Sequence, residues 1–114
     1  MTADLRQAGL SRIRRLIKRL YARSVHAEAY IFAVVSYLES LHVTGGDSVP
    51  RYKEYQEVAV KLNVEFGYGL GKIDPGLREL NLALTQLAKE LGEGFRPAIE
   101  AEIRRVSPNV MDDK

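Results

Sequence analysis

Apolar residues recur along this chain at the three- and four-residue spacing of an α-helix. The β-branched cluster Ile31, Val34 and Val35 is the best candidate for a strand, but it has neither the alternation nor the hairpin partner that a strand needs. The pattern therefore predicts an all-α protein, a single compact bundle of about five helices. With 114 residues the chain has room for one domain, with residues 1–9 and 108–114 expected to be flexible.

The first predicted helix has two distinct faces. Ser11 is its predicted N-cap, because Gly9 would interrupt any earlier helix. Its apolar residues fall within about a third of the circumference; they are Leu10, Ile13, Leu16, Ile17, Leu20 and Tyr21. The opposite side is cationic and carries Arg12, Arg15, Arg19 and Arg23.

Two further helices follow. Residues 25–41 are apolar around most of the circumference, so this helix is expected at the centre of the bundle. The turn-forming residues 44–50 close it. A third helix is predicted over 51–66 from its apolar spacing, with Lys53 and Lys61 among the polar residues on its outer face.

The segment 66–72 contains three glycines around Tyr68 and allows two interpretations. It is either a helix end or close backbone crossing, or a loop that presents backbone amides, Tyr68 and Lys72 to an anion. Asp74 and Pro75 then predict the start of a fourth helix. Its leucine seam, which should pack on another helix, comprises Leu77, Leu80, Leu84, Leu87 and Leu91. Gly92 and Gly94 are expected to end this helix, before a last one over 96–106.

The amino-acid composition gives no support for disulfide, metal or acid–base chemistry. There is no cysteine, and His26 and His42 are the only histidines, so neither a disulfide nor a metal site is expected, and no cofactor is predicted. The acids are scattered and form no evident catalytic pair. No apolar run is long enough to span a membrane, and the expectation is a cytoplasmic protein without a membrane partner.

Positive charge is concentrated at the start of the chain. Residues 1–24 hold seven Lys or Arg and one acid, Asp4, although the whole chain has a net charge of only +2. The cationic side of the first helix suits contacts with a phosphate backbone. From residue 12 to residue 23 this helix contains no Asn or Gln side chain that would read base edges. The residues predicted to bind nucleic acid are Arg12, Arg14, Arg15, Lys18, Arg19, Arg23, Lys61 and Lys72. An acidic protein partner and a merely solvated face remain alternatives.

Two other functions deserve a test. Arg19 and His26 would share one face of an unbroken helix, and their spacing loosely resembles the Arg-x(4–6)-His signature of HEPN ribonucleases, which implies a small ribonuclease. The leucine seam of the fourth helix suggests instead a protein–protein adaptor.

Three segments of the chain resemble the small helical subunit of type III-A (Csm) CRISPR effector complexes. They are Leu10-Ser-Arg-Ile-Arg-Arg-Leu-Ile, Leu62-Asn-Val-Glu-Phe-Gly-Tyr-Gly-Leu-Gly-Lys72 and Ile99-Glu-Ala-Glu-Ile. The second is similar to the family's Leu-x-Tyr-x-x-Gly-Arg segment, with Lys72 in place of the arginine. The resemblance implies a non-catalytic subunit that stacks in several copies, scaffolds the complex and contacts the backbone of guide RNA and target nucleic acid. The matching contact residues would be Arg12, Arg14, Arg15 and Lys72.

Overall fold

A computed structural model describes the backbone of residues 2–44, 49–69 and 72–106, and the side chains of residues 7–41, 52–69 and 72–106. Its α-helices are α1 (Thr2–Arg23), α2 (Ala27–Thr44), α3 (Val49–Glu65), α4 (Pro75–Leu91) and α5 (Phe95–Val106). These ranges contain no strand. The predicted all-α class is therefore confirmed, and the radius of gyration, 13.9 Å, is close to the roughly 13 Å of a compact chain of this size.

The predicted division of the chain into about five helices needs correction. Helical backbone continues from residue 75 to residue 106, because a single 3-10 turn at Gly92–Gly94 joins α4 directly to α5. The described ranges thus contain four uninterrupted helical stretches, the last of which changes direction at this turn. Gly92 makes the bend with a φ of 55°, and its N–H still donates to the carbonyl of Ala88. Gly92 therefore caps α4 after Leu91, as predicted, and the 3-10 turn leads directly into α5.

The predicted start of α1 is also wrong. The helix begins at Thr2, so most of the segment expected to be flexible is helical, and Ser11 lies inside the helix instead of capping it. A glycine within a helix costs roughly 1 kcal/mol relative to alanine, but tertiary packing on α4 supports α1 at this point. A Cβ added to Gly9 would lie 4.0 Å from the Cδ1 atom of Leu87. Residues 108–114 lie outside the described residues.

The core forms where α1 and α2 meet the last helical stretch. Helix α1 packs against α4 and α5, and α2 contacts every other α-helix, which confirms its predicted central place. The fully buried large side chains include Ile13, Ile17, Tyr30, Ile31, Leu62, Leu77, Leu80, Leu84, Phe95, Ile99 and Ile103. Four leucines of the predicted seam, Leu77, Leu80, Leu84 and Leu87, are buried in this core. They are not available to a partner, so the seam does not support the adaptor hypothesis.

Helix α3 packs on α2 and not along α1. Four tyrosines join α3 to α2, and the rings of Tyr37 and Tyr55 stack with centroids 5.6 Å apart and an interplanar angle of 4°. The other two members of this tyrosine cluster are Tyr30 and Tyr52. The position of α3 matters for function because its outward-facing lysines do not continue the cationic side of α1.

Candidate nucleic-acid interface

A buried acid ties Arg14 of α1 to α5. Its Nε donates to Oε1 of Glu102 on α5 at 2.6 Å, and the Glu102 side chain is only 3% exposed. Arg105 donates to the other carboxylate oxygen at 3.2 Å. The hydrogen bond and charge of Glu102 raise the pKa of Arg14 above its ordinary value. Arg14 thus compensates a buried carboxylate between α1 and α5, so its charge already has a partner within the fold.

Arg23 is also committed to an internal contact. Two of its guanidinium nitrogens, Nη1 and Nη2, donate to the two carboxylate oxygens of Asp74, each at 3.0 Å. Its guanidinium carbon lies 3.8 Å from the ring centroid of Phe66, a cation–π contact. Asp74 is the N-cap of α4 and accepts hydrogen bonds from the N–H groups of Gly76 and Leu77. The Arg23 hydrogen bonds and these amides hold the pKa of Asp74 below its usual value.

The glycine segment is organised around the same contact. The N–H of Gly67 donates to the carbonyl of Val64, and that of Tyr68 to the carbonyl of Asn63, which is the Schellman pattern for a helix end. Gly67 occupies the left-handed position of this motif with a φ of 90°. The side chain of Asn63 then accepts from the N–H of Asp74 at 2.6 Å. The structural interpretation therefore accounts for Gly67; Leu70 and Gly71 lie outside the described residues.

Arg12 makes a weaker ion pair at the surface. Its Nη2 lies 3.2 Å from Oε2 of Glu79 on α4, and both side chains are close to half exposed. An exposed pair of this kind contributes about 0–1 kcal/mol to stability. Arg12 can exchange this partner at little cost, but its charge is already balanced where it lies.

Three cations of α1 remain unpaired. Arg15, Lys18 and Arg19 are exposed, and none makes a hydrogen bond or ion pair with the side chains that the structure describes. They lie away from the core because Ile13, Leu16 and the other apolar residues of α1 face α2, α4 and α5. Residues three and four positions apart are neighbours on a helix, with Cβ atoms about 5–6 Å apart. We call Arg15, Lys18 and Arg19 the outer cationic face.

The two lysines predicted outside α1 do not extend this face in a line. Lys61 is exposed, but it belongs to α3, which packs on α2 instead of lying beside α1. Lys72 is also exposed and lies two residues before Asp74, near the carboxyl end of α1. The side chain of Arg51 lies outside those described. Lys61 therefore does not continue the line of cations on α1, because α3 packs on α2.

A cleft opens beside the outer cationic face. It has a volume of about 370 Å³ and lies between the second half of α1, Tyr68 and the start of α4. Leu16 and Leu20 from α1, with Leu77 and Leu80 from α4, form its apolar part. Its polar lining comes from Arg19, Arg23, Tyr68, Asp74 and Glu79.

Arg19 and His26 do not lie on one unbroken helix, as their predicted pairing requires. Helix α1 ends at Arg23, and residues 24–26 form a turn before α2 begins at Ala27. The Ser24 hydroxyl oxygen accepts from the N–H of His26 at 2.9 Å, and this hydroxyl donates to Glu65 at 2.8 Å. The two residues therefore do not share one helix, and the angular argument for a HEPN-like active pair does not apply.

The sequence did not reveal which acids neutralise which arginines. Glu102 is 88 residues from Arg14, and Asp74 is 51 residues from Arg23, so no local spacing connects either pair. In the sequence Tyr68 stands out only as part of the glycine segment, and the Schellman motif places it in the cleft wall. For Glu102, the only signal in the sequence is that an acidic residue lies within the last predicted helix.

No family model, curated protein or solved structure matches this chain. Among the helices that the structure describes, none combines the length and apolar character needed to cross a membrane. Within the same residues, no three His, Cys, Asp or Glu side chains lie close enough together to hold a metal ion.

Proposed function

We propose that this protein binds the sugar–phosphate backbone of single-stranded RNA through its outer cationic face, as a non-catalytic subunit of a ribonucleoprotein. The observation that carries the proposal is the difference among the cations of α1. Arg14 and Arg23 are bound to buried acids, whereas Arg15, Lys18 and Arg19 are exposed and unpaired within the described part of the chain. The three are neighbours on one face of α1, and none is needed for an ion pair within the described residues.

The chemistry of this face favours recognition without sequence specificity. Arginine and lysine donate to phosphate oxygens, and most of the affinity of such contacts comes from the release of counterions. The side chains at Arg15, Lys18 and Arg19 include no amide that would distinguish one base edge from another. Three contacts alone give weak binding, so several copies on one strand would be needed for a tight complex.

We also propose that the ribonucleoprotein is a CRISPR effector of type III-A (Csm) or a related type, located in the cytoplasm. The support is the resemblance of three segments, which fall in α1, across the end of α3 and the glycine segment, and in α5. Of the contact residues that the resemblance implies, Arg15 and Lys72 are exposed and unpaired within the described residues, whereas Arg12 and Arg14 pair with acids. Guide RNA, target nucleic acid, further subunits and other copies of this chain are the partners proposed.

A charge-reversal experiment tests the backbone-binding function. The variant carries Arg15→Glu, Lys18→Glu and Arg19→Glu, and a matched control carries Lys53→Glu, Lys61→Glu and Lys89→Glu, which are exposed cations on α3 and α4. Both variants have the same net charge, so a general charge effect would weaken them equally. We expect only the first to lose binding to labelled single-stranded RNA at low salt. Equal binding by the two variants would exclude the outer cationic face as the RNA-binding surface.

A further inference from the structure

The cleft beside Arg19 has the dimensions and lining of a site for one nucleobase. Small-molecule pockets usually have volumes of about 300–1,000 Å³, so a cleft of about 370 Å³ has room for a single nucleotide and not for a duplex. Its lining combines leucines of α1 and α4 with a tyrosine and an exposed arginine, Arg19. A lining of apolar side chains with one aromatic ring and one cation suits a flat ring that carries a phosphate.

Tyr68 is available for stacking in a way that most tyrosines of this chain are not. The rings of Tyr30, Tyr37, Tyr52 and Tyr55 contact one another in the cluster between α2 and α3. Tyr68 is half-buried, lines the cleft, and has no ring contact or hydrogen bond among its side-chain atoms in the described structure. The Schellman motif fixes its backbone through the N–H that donates to Asn63. Because its backbone is already fixed, Tyr68 loses only side-chain freedom when a base packs on its ring.

The charges in the cleft leave one cation for a ligand. Asp74 is paired with Arg23, and Glu79 is paired with Arg12, so each acid is neutralised by an arginine of α1. Arg19 lines the same cleft and makes no such pair within the described residues. An anion is therefore attracted at Arg19, at the point where the cleft meets the outer cationic face.

We infer that this cleft accepts one unpaired base of the bound RNA strand, stacked on Tyr68, while the adjoining phosphate lies at Arg19. The inference rests on the proposed function, because Arg19 belongs both to the outer cationic face and to the cleft. A strand whose phosphates follow Arg15, Lys18 and Arg19 passes the mouth of the cleft. The base contact is made to a ring face, which all four bases present, so it adds affinity for unpaired strands without adding sequence specificity.

The experiment compares two strands of about ten nucleotides, a length within the range bound by known single-strand modules. One is oligo(A) RNA, and the other has the same phosphates but abasic sugars. Wild-type protein should bind the base-containing strand about fivefold to a hundredfold more tightly, as expected for one stacked base. Tyr68→Leu should reduce its affinity to the abasic level and leave binding of the abasic strand unchanged, whereas Tyr68→Phe should behave as wild type.

A second measurement does not depend on any substitution. A 2-aminopurine placed within the strand changes its fluorescence when it leaves its neighbouring bases and stacks on a protein ring, and wild-type protein should produce this change. Equal binding of the abasic and base-containing strands, with no 2-aminopurine response, would overturn the base cleft and leave the backbone-binding function standing. If wild-type protein binds neither strand at low salt, both proposals are wrong.

Discussion

Arg23 and Asp74 form a two-pronged ion pair that joins the end of α1 to the beginning of α4. Both carboxylate oxygens of Asp74 accept from Arg23 at 3.0 Å, and one of them also accepts from the N–H groups that begin α4. The backbone N–H of Asp74 in turn donates to Asn63, near the end of α3. This one acid therefore fixes the positions of three helices and of the cleft between two of them.

Removing the Asp74 carboxylate should be costly. The loss of an N-cap usually costs about 1 kcal/mol, and Arg23 would lose its partner, so we expect Asp74→Ala to lower the free energy of unfolding by about 2 kcal/mol in total. Because Arg23 is 43% exposed and partly screened by water, the coupling of Asp74→Ala with Arg23→Gln should be only about 1 kcal/mol. Urea unfolding of both single variants and the double variant measures it, and a coupling near zero would show that the ion pair does not join the helices.

The same acid predicts a dependence of stability on pH. The folded protein lowers the pKa of Asp74, chiefly through its hydrogen bonds from Arg23. Its stabilising contribution is therefore complete above the unfolded pKa of about 3.9 and is lost as the pH falls through the lower folded value. In urea unfolding from neutral to acid pH, wild type and Asp74→Asn should differ at pH 7, and the difference should shrink as the pH falls below about 4 and vanish below the folded pKa of Asp74. A difference that stays constant in acid would contradict the predicted shift.

Two glycines should respond oppositely to alanine. Gly9 lies within α1, and its added methyl group would make an ordinary contact 4.0 Å from Leu87. Gly9→Ala should therefore raise the free energy of unfolding by about 0.5–1 kcal/mol. Gly67 has open space around it but a φ of 90°, so Gly67→Ala should lower stability by about 1 kcal/mol or more. Thermal unfolding of Gly9→Ala and Gly67→Ala measures these two opposite changes in stability. Destabilisation by Gly9→Ala would argue against a helix that begins at Thr2.

Adjacent arginines of α1 should have separate roles. Arg14→Glu places a second acid beside buried Glu102, so it should lower the urea midpoint substantially. Arg15→Glu makes the same change in charge one residue later, at an exposed side chain with no described partner. It should leave the midpoint unchanged and weaken RNA binding. The reverse assignment, with stability lost at Arg15 and retained at Arg14, would be inconsistent with the contacts between α1 and α5.

Local signals predicted much of this fold, and long-range contacts account for what they missed. Asp74 and Pro75 identified the start of α4 because a cap and its helix are neighbours in sequence. Gly9 led to the wrong predicted start of α1, because packing of α1 on α4 outweighs the low helix propensity of one residue. Arg12, Arg14, Arg15 and the other α1 cations look alike in sequence. Only the positions of distant acids, brought close by the fold, separate the structural arginines from the free ones.

The salt dependence of RNA binding tests the central claim most directly, because it counts the phosphates that the protein neutralises. For single strands the logarithm of the binding constant falls with the logarithm of salt concentration by about 0.7 for each contact. Contacts by Arg15, Lys18 and Arg19 alone predict a slope of about −2 for wild-type protein, and a slope near zero for the variant with all three reversed. A slope of about −6 would mean that all eight cations suggested by the sequence bind phosphate. That result, or a slope unaffected by reversing the three, would contradict the account.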